Sequence, residues 1–241
     1  MDRHERATEA AVLDVATGTG NVAVAAAKRG ASVTGLDLTP ELLDRARARA
    51  AAAGASIDWI VGDAELLPFP DASFDVVTST FGVMFAPDRD RAAAELLRVC
   101  RPGGVIGLCC WTPEGVAGQY IDLLGRHLGA QPDDKRSTDW GRQRWVHDLF
   151  TGADARDSGG LEFEFALDHA VAEFGSLDAG VEFLECNYGC AVTSRAKLEP
   201  AGRWEALRAD IRSLFDANNR SASGSLLLAE EYLQTIIRIP R

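Results

Sequence analysis

The run from Val12 to Ala23, Val-Leu-Asp-Val-Ala-Thr-Gly-Thr-Gly-Asn-Val-Ala, restricts the fold of this chain more than any other stretch. An apolar segment reaches Asp14, a turn of small residues holds Gly18 and Gly20, and an alanine-rich helical pattern follows. That order reads as a strand, a tight glycine turn and the start of a helix. Glycine lets the backbone approach a ligand closely, and a helix N-terminus offers free N–H groups.

The same alternation repeats downstream. Strands are expected at Ala11–Val15, Ser32–Leu36, Ile57–Val61, Phe74–Thr78 and Val105–Trp111. Helices are expected from about Gly20 to Arg29, from Pro40 to Gly54 and over Ala92–Cys100. Thr39 before Pro40, with Glu41 in the first turn, is a helix-start signal. Strands alternating with helices in this way predict an α/β fold built on a doubly wound parallel sheet. Asp14, Asp37 and Asp63 sit at or just past strand C-termini, the edge where open parallel sheets bind ligands. The second half is less regular. A loop and helix are expected over 112–128, a polar loop over 131–139, and a short amphipathic helix at Gln143–Phe150. A strand is expected at Leu161–Val171, with Phe163, Phe165, Leu167, His169 and Val171 on one face, and helices at Leu177–Tyr188 and Pro200–Ala217. Tyr232–Ile239 reads as a final strand. With 241 residues and 46% hydrophobic composition, the whole chain 1–241 is expected to be one domain. Residues 11–111 would form its cofactor-binding core, with 113–150 and 176–217 as a helical cover over the active site.

Charge narrows the partners. The formal net charge of −11 disfavours a nucleic-acid backbone, which needs clustered Lys and Arg. No apolar run reaches membrane-spanning length, and the N-terminus lacks a signal-peptide core, so a cytoplasmic protein without a membrane span is expected. The five cysteines are expected as reduced thiols, and Cys186 and Cys190 have no second pair with which to hold zinc. No metal is expected.

Gly18-x-Gly20-x-x-Ala23, with Asp37 nineteen residues after Gly18, also satisfies the dinucleotide fingerprint. Two further acids separate the ligands. A carboxylate at Asp14 would repel a pyrophosphate but suits an ammonium group. Asp37 could accept both hydroxyls of a ribose, and Asp63 an exocyclic amine. Ammonium, diol and adenine amine together describe S-adenosylmethionine better than NAD.

With these residues in place, the chain resembles the class I S-adenosylmethionine-dependent methyltransferases, in the small-molecule branch typified by ubiquinone/menaquinone-biosynthesis C-methyltransferases. The matching stretches are Val-Leu-Asp-Val-Ala-Thr-Gly-Thr-Gly (12–20), Gly-Leu-Asp-Leu-Thr-Pro-Glu-Leu-Leu (35–43), Gly-Asp-Ala-Glu-Leu-Leu-Pro-Phe-Pro-Asp-Ala-Ser-Phe-Asp-Val-Val (62–77) and Leu-Leu-Arg-Val-Cys-Arg-Pro-Gly-Gly (96–104). The resemblance covers residues 11–111 and is loose beyond. It implies a Rossmann-like seven-stranded sheet with its last strand antiparallel. It places Asp14, Ala16, Thr17, Gly18 and Gly20 along the methionine and ribose, Asp37 on the ribose hydroxyls and Leu38 against adenine. Asp63 and Ala64 would take the adenine amine and ring, and Thr80 and Phe81 would lie near the sulfonium. Ala16 stands where the family has a glycine. Relatives carry one or two helices before strand one that ten residues are too few to form. The pocket is therefore expected to be more open, or the chain to lack residues.

The resemblance implies methyl transfer from S-adenosylmethionine, leaving S-adenosylhomocysteine, to a small apolar or aromatic metabolite at oxygen, carbon or nitrogen. Proximity and alignment carry such a reaction, and a base is needed only where the acceptor must lose a proton. No catalytic triad is apparent. His4, His127, His147 and His169 read as tail, helix-end, surface and core-edge residues. Met84, Trp140 and Tyr188 are candidate acceptor-lining residues, with hydrophobic packing as their alternative role. The stretch Thr78-Ser-Thr-Phe-Gly lacks the Asn/Asp-Pro-Pro-aromatic motif of amide and nucleobase nitrogen methylases. A monomer or homodimer with a small-molecule partner is expected. An NAD-dependent oxidoreductase and a non-catalytic S-adenosylmethionine-binding protein are the rival readings.

Overall fold

A computed structural model describes residues 9–131, 136–154 and 160–241. The tail up to residue 8 and residues 132–135 of the polar loop expected at 131–139 therefore lie outside the described residues. Seven strands form one sheet: β1 (Ala11–Val15), β2 (Ser32–Asp37), β3 (Asp58–Val61), β4 (Phe74–Thr80), β5 (Cys100–Trp111), β6 (Glu162–Phe174) and β7 (Leu226–Arg238). Their order is β3-β2-β1-β4-β5-β7-β6. The pairs β1–β2, β1–β4, β2–β3 and β4–β5 are parallel. Ile239 pairs with Gly104 just past one end of β7, while Thr112 N–H donates to Glu231 within it, so β7 runs antiparallel to β5. This is the mixed sheet that the resemblance implies.

The connecting helices are α1 (Asn21–Ala27), α2 (Pro40–Ala53), α3 (Arg89–Val99), α4 (Val116–Leu128), α5 (Gln143–Ala153), α6 (Leu177–Asn187), α7 (Gly189–Leu198) and α8 (Trp204–Ala217). Pro40 opens α2, and Gly54 closes it in the left-handed conformation at φ 64°. Thr39 occupies the N-cap position without a side-chain cap bond; its backbone N–H donates to Asp37 instead. Asp88 caps α3 and Ser176 caps α6 through their side chains. No helix among the described residues is long and apolar enough to cross a membrane.

The chain divides into two compact units. The first holds residues up to Cys109, Gln143–Ala166 and Gln234–Arg241. In it, Val12, Ala23 and Val33 pack with Ile57, Trp59 and Val76. The indole of Trp59 fills the space beside β2: a Cβ on Gly35 would lie 2.4 Å from it and one on Gly20 2.7 Å. These glycines leave room for a ring. Helix α5 packs on α3 in this unit, with Arg89 stacked over Trp145. The stretch 113–150, expected as one covering block, is thus split between the units.

The second unit holds Cys110–Arg142 and Leu167–Leu233. Trp204, Leu207, Ile211 and Phe215 form one face of α8 and pack with Val116, Tyr120 and Leu124 of α4 and with Leu226 and Leu228 of β7. The strand over 161–171 does not keep the single face expected of it. Phe163 and Phe165 are half-buried, Leu167 and Val171 are exposed, and burial resumes at Ala170, Ala172 and Phe174. A slip of one residue turns a strand's side chains over, as at a bulge. His169 is consequently an exposed residue, its Nε2 3.9 Å from Glu231, and not a core-edge one.

Two features of these units are open to measurement. Gly82, after β4, lies against the turn after β1: a Cβ on it would stand 2.4 Å from Ala16 Cβ and 2.8 Å from the Ala16 carbonyl oxygen. Gly82→Ala is expected to cost ~1–3 kcal/mol by overpacking. In an Ala16→Gly background the cost is expected to shrink by ~1 kcal/mol, a coupling that a double-mutant cycle in urea reads directly. In the second unit, Glu230 is buried on β7, and burial holds its carboxyl above the usual glutamate range. The folded state then holds this proton more tightly than the unfolded chain. Stability declines as pH rises above the unfolded value, until the folded carboxyl has ionised too. Glu230→Gln is expected to stabilise the protein more at about pH 8 than at about pH 5. An equal effect at both would show that the carboxylate is already compensated.

Candidate functional site

The crevice lies at the C-terminal edge of the parallel strands, between β1 and β4. There the chain order reverses: β1 has β2 on one flank and β4 on the other. Turns leaving adjacent strands in opposite directions open a gap at that point.

Asp14 anchors one wall. It is only 2% exposed, and both carboxylate oxygens are engaged. One accepts the Thr17 hydroxyl at 2.5 Å and the other the Thr78 hydroxyl at 2.8 Å. Burial pushes its pKa up, these hydroxyls and the backbone at Ala23 pull it down, and the nearby Asp37 charge pushes it up again. The carboxylate expected to face an ammonium group is therefore drawn inward, where it ties the end of β1 to its own turn and to β4.

The turn itself runs through left-handed conformations at Ala16 (φ 53°), Gly18 (φ 56°) and Gly20 (φ 79°). Thr17 N–H donates to Leu36 O and Gly20 N–H to Thr17 O. The two glycines do different work. A Cβ on Gly18 would meet nothing within 4 Å, so Gly18 borders open space, while Gly20 faces Trp59 and Ala46. Ala16 adopts a conformation that costs an L-residue roughly 1–2 kcal/mol.

Asp37, at the end of β2, is 7% exposed. It accepts Gly18 N–H at 2.7 Å and Thr39 N–H at 2.9 Å, one on each oxygen. A carboxylate has about four lone-pair sites, so two remain for a diol. The next strand end is joined to it through Gly62 N–H on Asp37 O. Asp63 is exposed, accepts Glu65 N–H at 2.9 Å, and is followed by half-buried Ala64. Leu38, just past β2, is 68% exposed, and Leu66, in the loop after β3, 65%.

On the β4 side, half-buried Thr80 pairs with Cys109, and Phe81 takes φ 58° while its N–H donates to Cys109 O. Of the three non-glycine residues with positive φ among the described residues, Ala16 and Phe81 both belong to this crevice. Such strain persists where surrounding structure imposes it.

The structure thus brings together Asp14, Ala16, Thr17, Gly18, Asp37 and the Phe81–Gly82 turn, with Leu38, Asp63 and Ala64 at the neighbouring strand ends. The candidate acceptor residues fare differently. Met84 and Trp140 have no exposed surface and are packing residues. Tyr188 is half-buried in the second unit, edge-on to Tyr120. The sequence reading passed over Thr78 and the face of α3 that carries Arg91, Glu95 and Arg98. Glu95 accepts Leu67 N–H, Arg98 donates to the carbonyls of Leu67 and Phe69, and Arg91 donates to that of Glu65. Arg98 hydrogen-bonds Glu95 and holds its carboxyl below the usual range. The i,i+3 spacing of Glu95 and Arg98 was the available signal. Together these residues pin the loop that follows β3.

Comparison with known proteins agrees with this geometry. The family described as "Methyltransferase domain" matches residues 13–108. An uncharacterized protein of Mycobacterium tuberculosis is 42% identical over 188 residues, covering 78% of this chain and 67% of that protein. The chain thus spans about two thirds of that relative's length. A demethylmenaquinone methyltransferase of Deinococcus radiodurans is 43% identical over 121 residues, covering 48% of this chain and 50% of that one. The solved YcgJ protein of Bacillus subtilis shares the fold at TM-score 0.63 and 18% identity, over 97% of this chain and 93% of that one. The methyltransferase match and the acid-edged crevice, on a sheet of this order, agree: the chain belongs to the S-adenosylmethionine-dependent methyltransferases.

Proposed function

We propose that the chain methylates a small apolar or aromatic metabolite at oxygen, carbon or nitrogen. The observation that carries this is the apolar surface held out at the strand-end edge of an acidic protein. Phe85 is 47% exposed in the short helical turn Val83–Phe85 after β4, directly after fully buried Met84, and Leu38 after β2 and Leu66 in the loop after β3 are exposed as well. Exposed apolar groups at a ligand-binding edge favour an apolar ligand, and a net charge of −11 opposes a polyanion. The demethylmenaquinone methyltransferase that matches half of the chain acts, by its name, on a demethylmenaquinone, an acceptor of the same character.

In this reading S-adenosylmethionine supplies an already activated methyl group. Asp37 holds the ribose hydroxyls on its two remaining lone-pair sites, and Gly18 lets the backbone approach. Asp63 and Ala64 take the adenine edge, with Leu38 against the ring. Asp14, only 2% exposed and held by Thr17 and Thr78, acts through the turn as a positioning residue. The Phe81–Gly82 turn borders the reacting end, and Phe85 offers an apolar wall that excludes water. Alignment, not acid–base chemistry, then carries the rate.

Two measurements test this. S-Adenosylhomocysteine is expected to raise the melting temperature and NAD to leave it unchanged. Asp37→Ala is expected to weaken S-adenosylhomocysteine binding by at least ~1 kcal/mol through loss of charge-assisted hydrogen bonds. Unchanged affinity would place the ribose elsewhere. Independently, methyl-labelled donor is incubated with hydroxyquinones, catechols, aryl amines and, as a contrast, transfer RNA. Label in an aromatic small molecule supports the proposal, and label confined to RNA overturns it. Cofactor binding with no transfer to any acceptor would favour a binding protein over an enzyme.

A further inference from the structure

Outside the donor crevice, a cavity of about 620 Å³ opens in the second unit along α4 and α8. Its lining includes Arg126 and His127 from the last turn of α4, Arg203 just before α8, Asp210 from α8, and the apolar Leu123 and Leu214. A cavity of this size suits a metabolite. The lining carries two arginines and two aspartates. Asp210 is engaged by His127 Nε2 at 2.8 Å, and Asp122, also on the lining, is engaged by Arg136 at 2.7 Å. Arg126 and Arg203 have no hydrogen-bonded or ion-paired side-chain partner among the described residues. The carboxylates that could have answered them are thus already paired. Two guanidiniums without side-chain partners thus line one cavity. Guanidinium groups match phosphate and carboxylate oxygens through paired N–H donors.

We propose that this cavity binds a small organic anion through a phosphate or carboxylate group held by Arg126 and Arg203. The leucine side chains receive the anion's apolar portion. The site is a second one: every residue on its lining belongs to the second unit, whereas Asp14, Asp37 and Asp63 belong to the first. The proposal does not rest on the identity of the methyl acceptor.

The test is isothermal titration of the full chain with sodium pyrophosphate and, separately, with citrate, at low ionic strength. Saturable one-to-one binding of at least one probe is expected, and the probe that binds identifies the head group. Arg126→Gln and Arg203→Gln are each expected to weaken that binding about five-fold or more, and the double variant to abolish it. Arg45→Gln, an exposed arginine on α2 outside the cavity, is expected to leave it within about two-fold, as is saturating S-adenosylhomocysteine. Both cavity arginines are on the surface, so circular dichroism is expected to show intact folds. The proposal fails if neither probe saturates, or if the double variant binds within about two-fold of the parent. It also fails if Arg45→Gln loses as much affinity, which marks diffuse charge, or if S-adenosylhomocysteine displaces the probe, which returns it to the donor crevice.

Discussion

The buried carboxylate of Asp14 is the constraint on which the donor crevice depends. A carboxylate removed from water is costly unless hydrogen-bonded, and two threonine hydroxyls answer it. Thr17 belongs to the turn after β1 and Thr78 to β4, so one side chain joins the two strands between which the sheet order reverses. With that corner fixed, the backbone around it tolerates conformations that a free chain would leave. Ala16 and Phe81 both hold positive φ, and Gly82 fits against Ala16 with no room for a side chain. The Gly18 N–H is then presented to Asp37 and the space above it stays open. A rigid, locally strained corner of this kind keeps a site organised before a ligand arrives.

Much of this architecture was legible in the residues. Apolar runs closed by Asp14, Asp37 and Asp63, separated by helical patterns, marked the strands and the ligand edge. What pattern could not reveal was direction. An aspartate at a strand end reads alike whether it faces a ligand or its own turn, and the partner that decides the matter, Thr78, is sixty-four residues away. Gly20 is a similar case. Its spacing reads as a ligand glycine, yet its missing side chain makes room for Trp59, a strand away. The triple leucine that opens β7 has no alternation, so periodicity did not extend the final strand back to Leu226. Helix α7 escaped notice because only Ala191, Ser194 and Leu198 of its ten residues are buried, too sparse an apolar face to stand out.

The second unit shows why amphipathic helices are easier to locate than to interpret. The apolar stripe of α8 is consumed by its own unit's core, against α4 and β7. Periodicity reports that burial and nothing of what the polar side does. The polar side of α4 and α8 carries Arg126, His127 and Asp210, and Arg203 stands just before α8, residues whose spacing along the chain gives no hint that they share a cavity. Helix-end placement alone accounts for His127 as a sequence feature. Only packing brings it to Asp210.

Donor and acceptor recognition differ in legibility for the same physical reason. A nucleoside with a fixed set of donors and a diol is gripped by backbone N–H groups and strand-end carboxylates, whose positions follow from the strand–turn–helix repeat. An apolar acceptor is gripped by exposed hydrophobic side chains, and residue type does not say which hydrophobic residues are exposed. Met84 and Phe85 are adjacent, both large and both apolar. Met84 is fully buried, and Phe85 leaves nearly half its surface free. Their turn follows Phe81 and Gly82, whose backbone is set by the contact with Ala16 and, through it, by the corner that Asp14 holds. Phe85, the exposed member of the pair, thus follows by seventy-one residues the hydrogen-bonded aspartate that holds this corner.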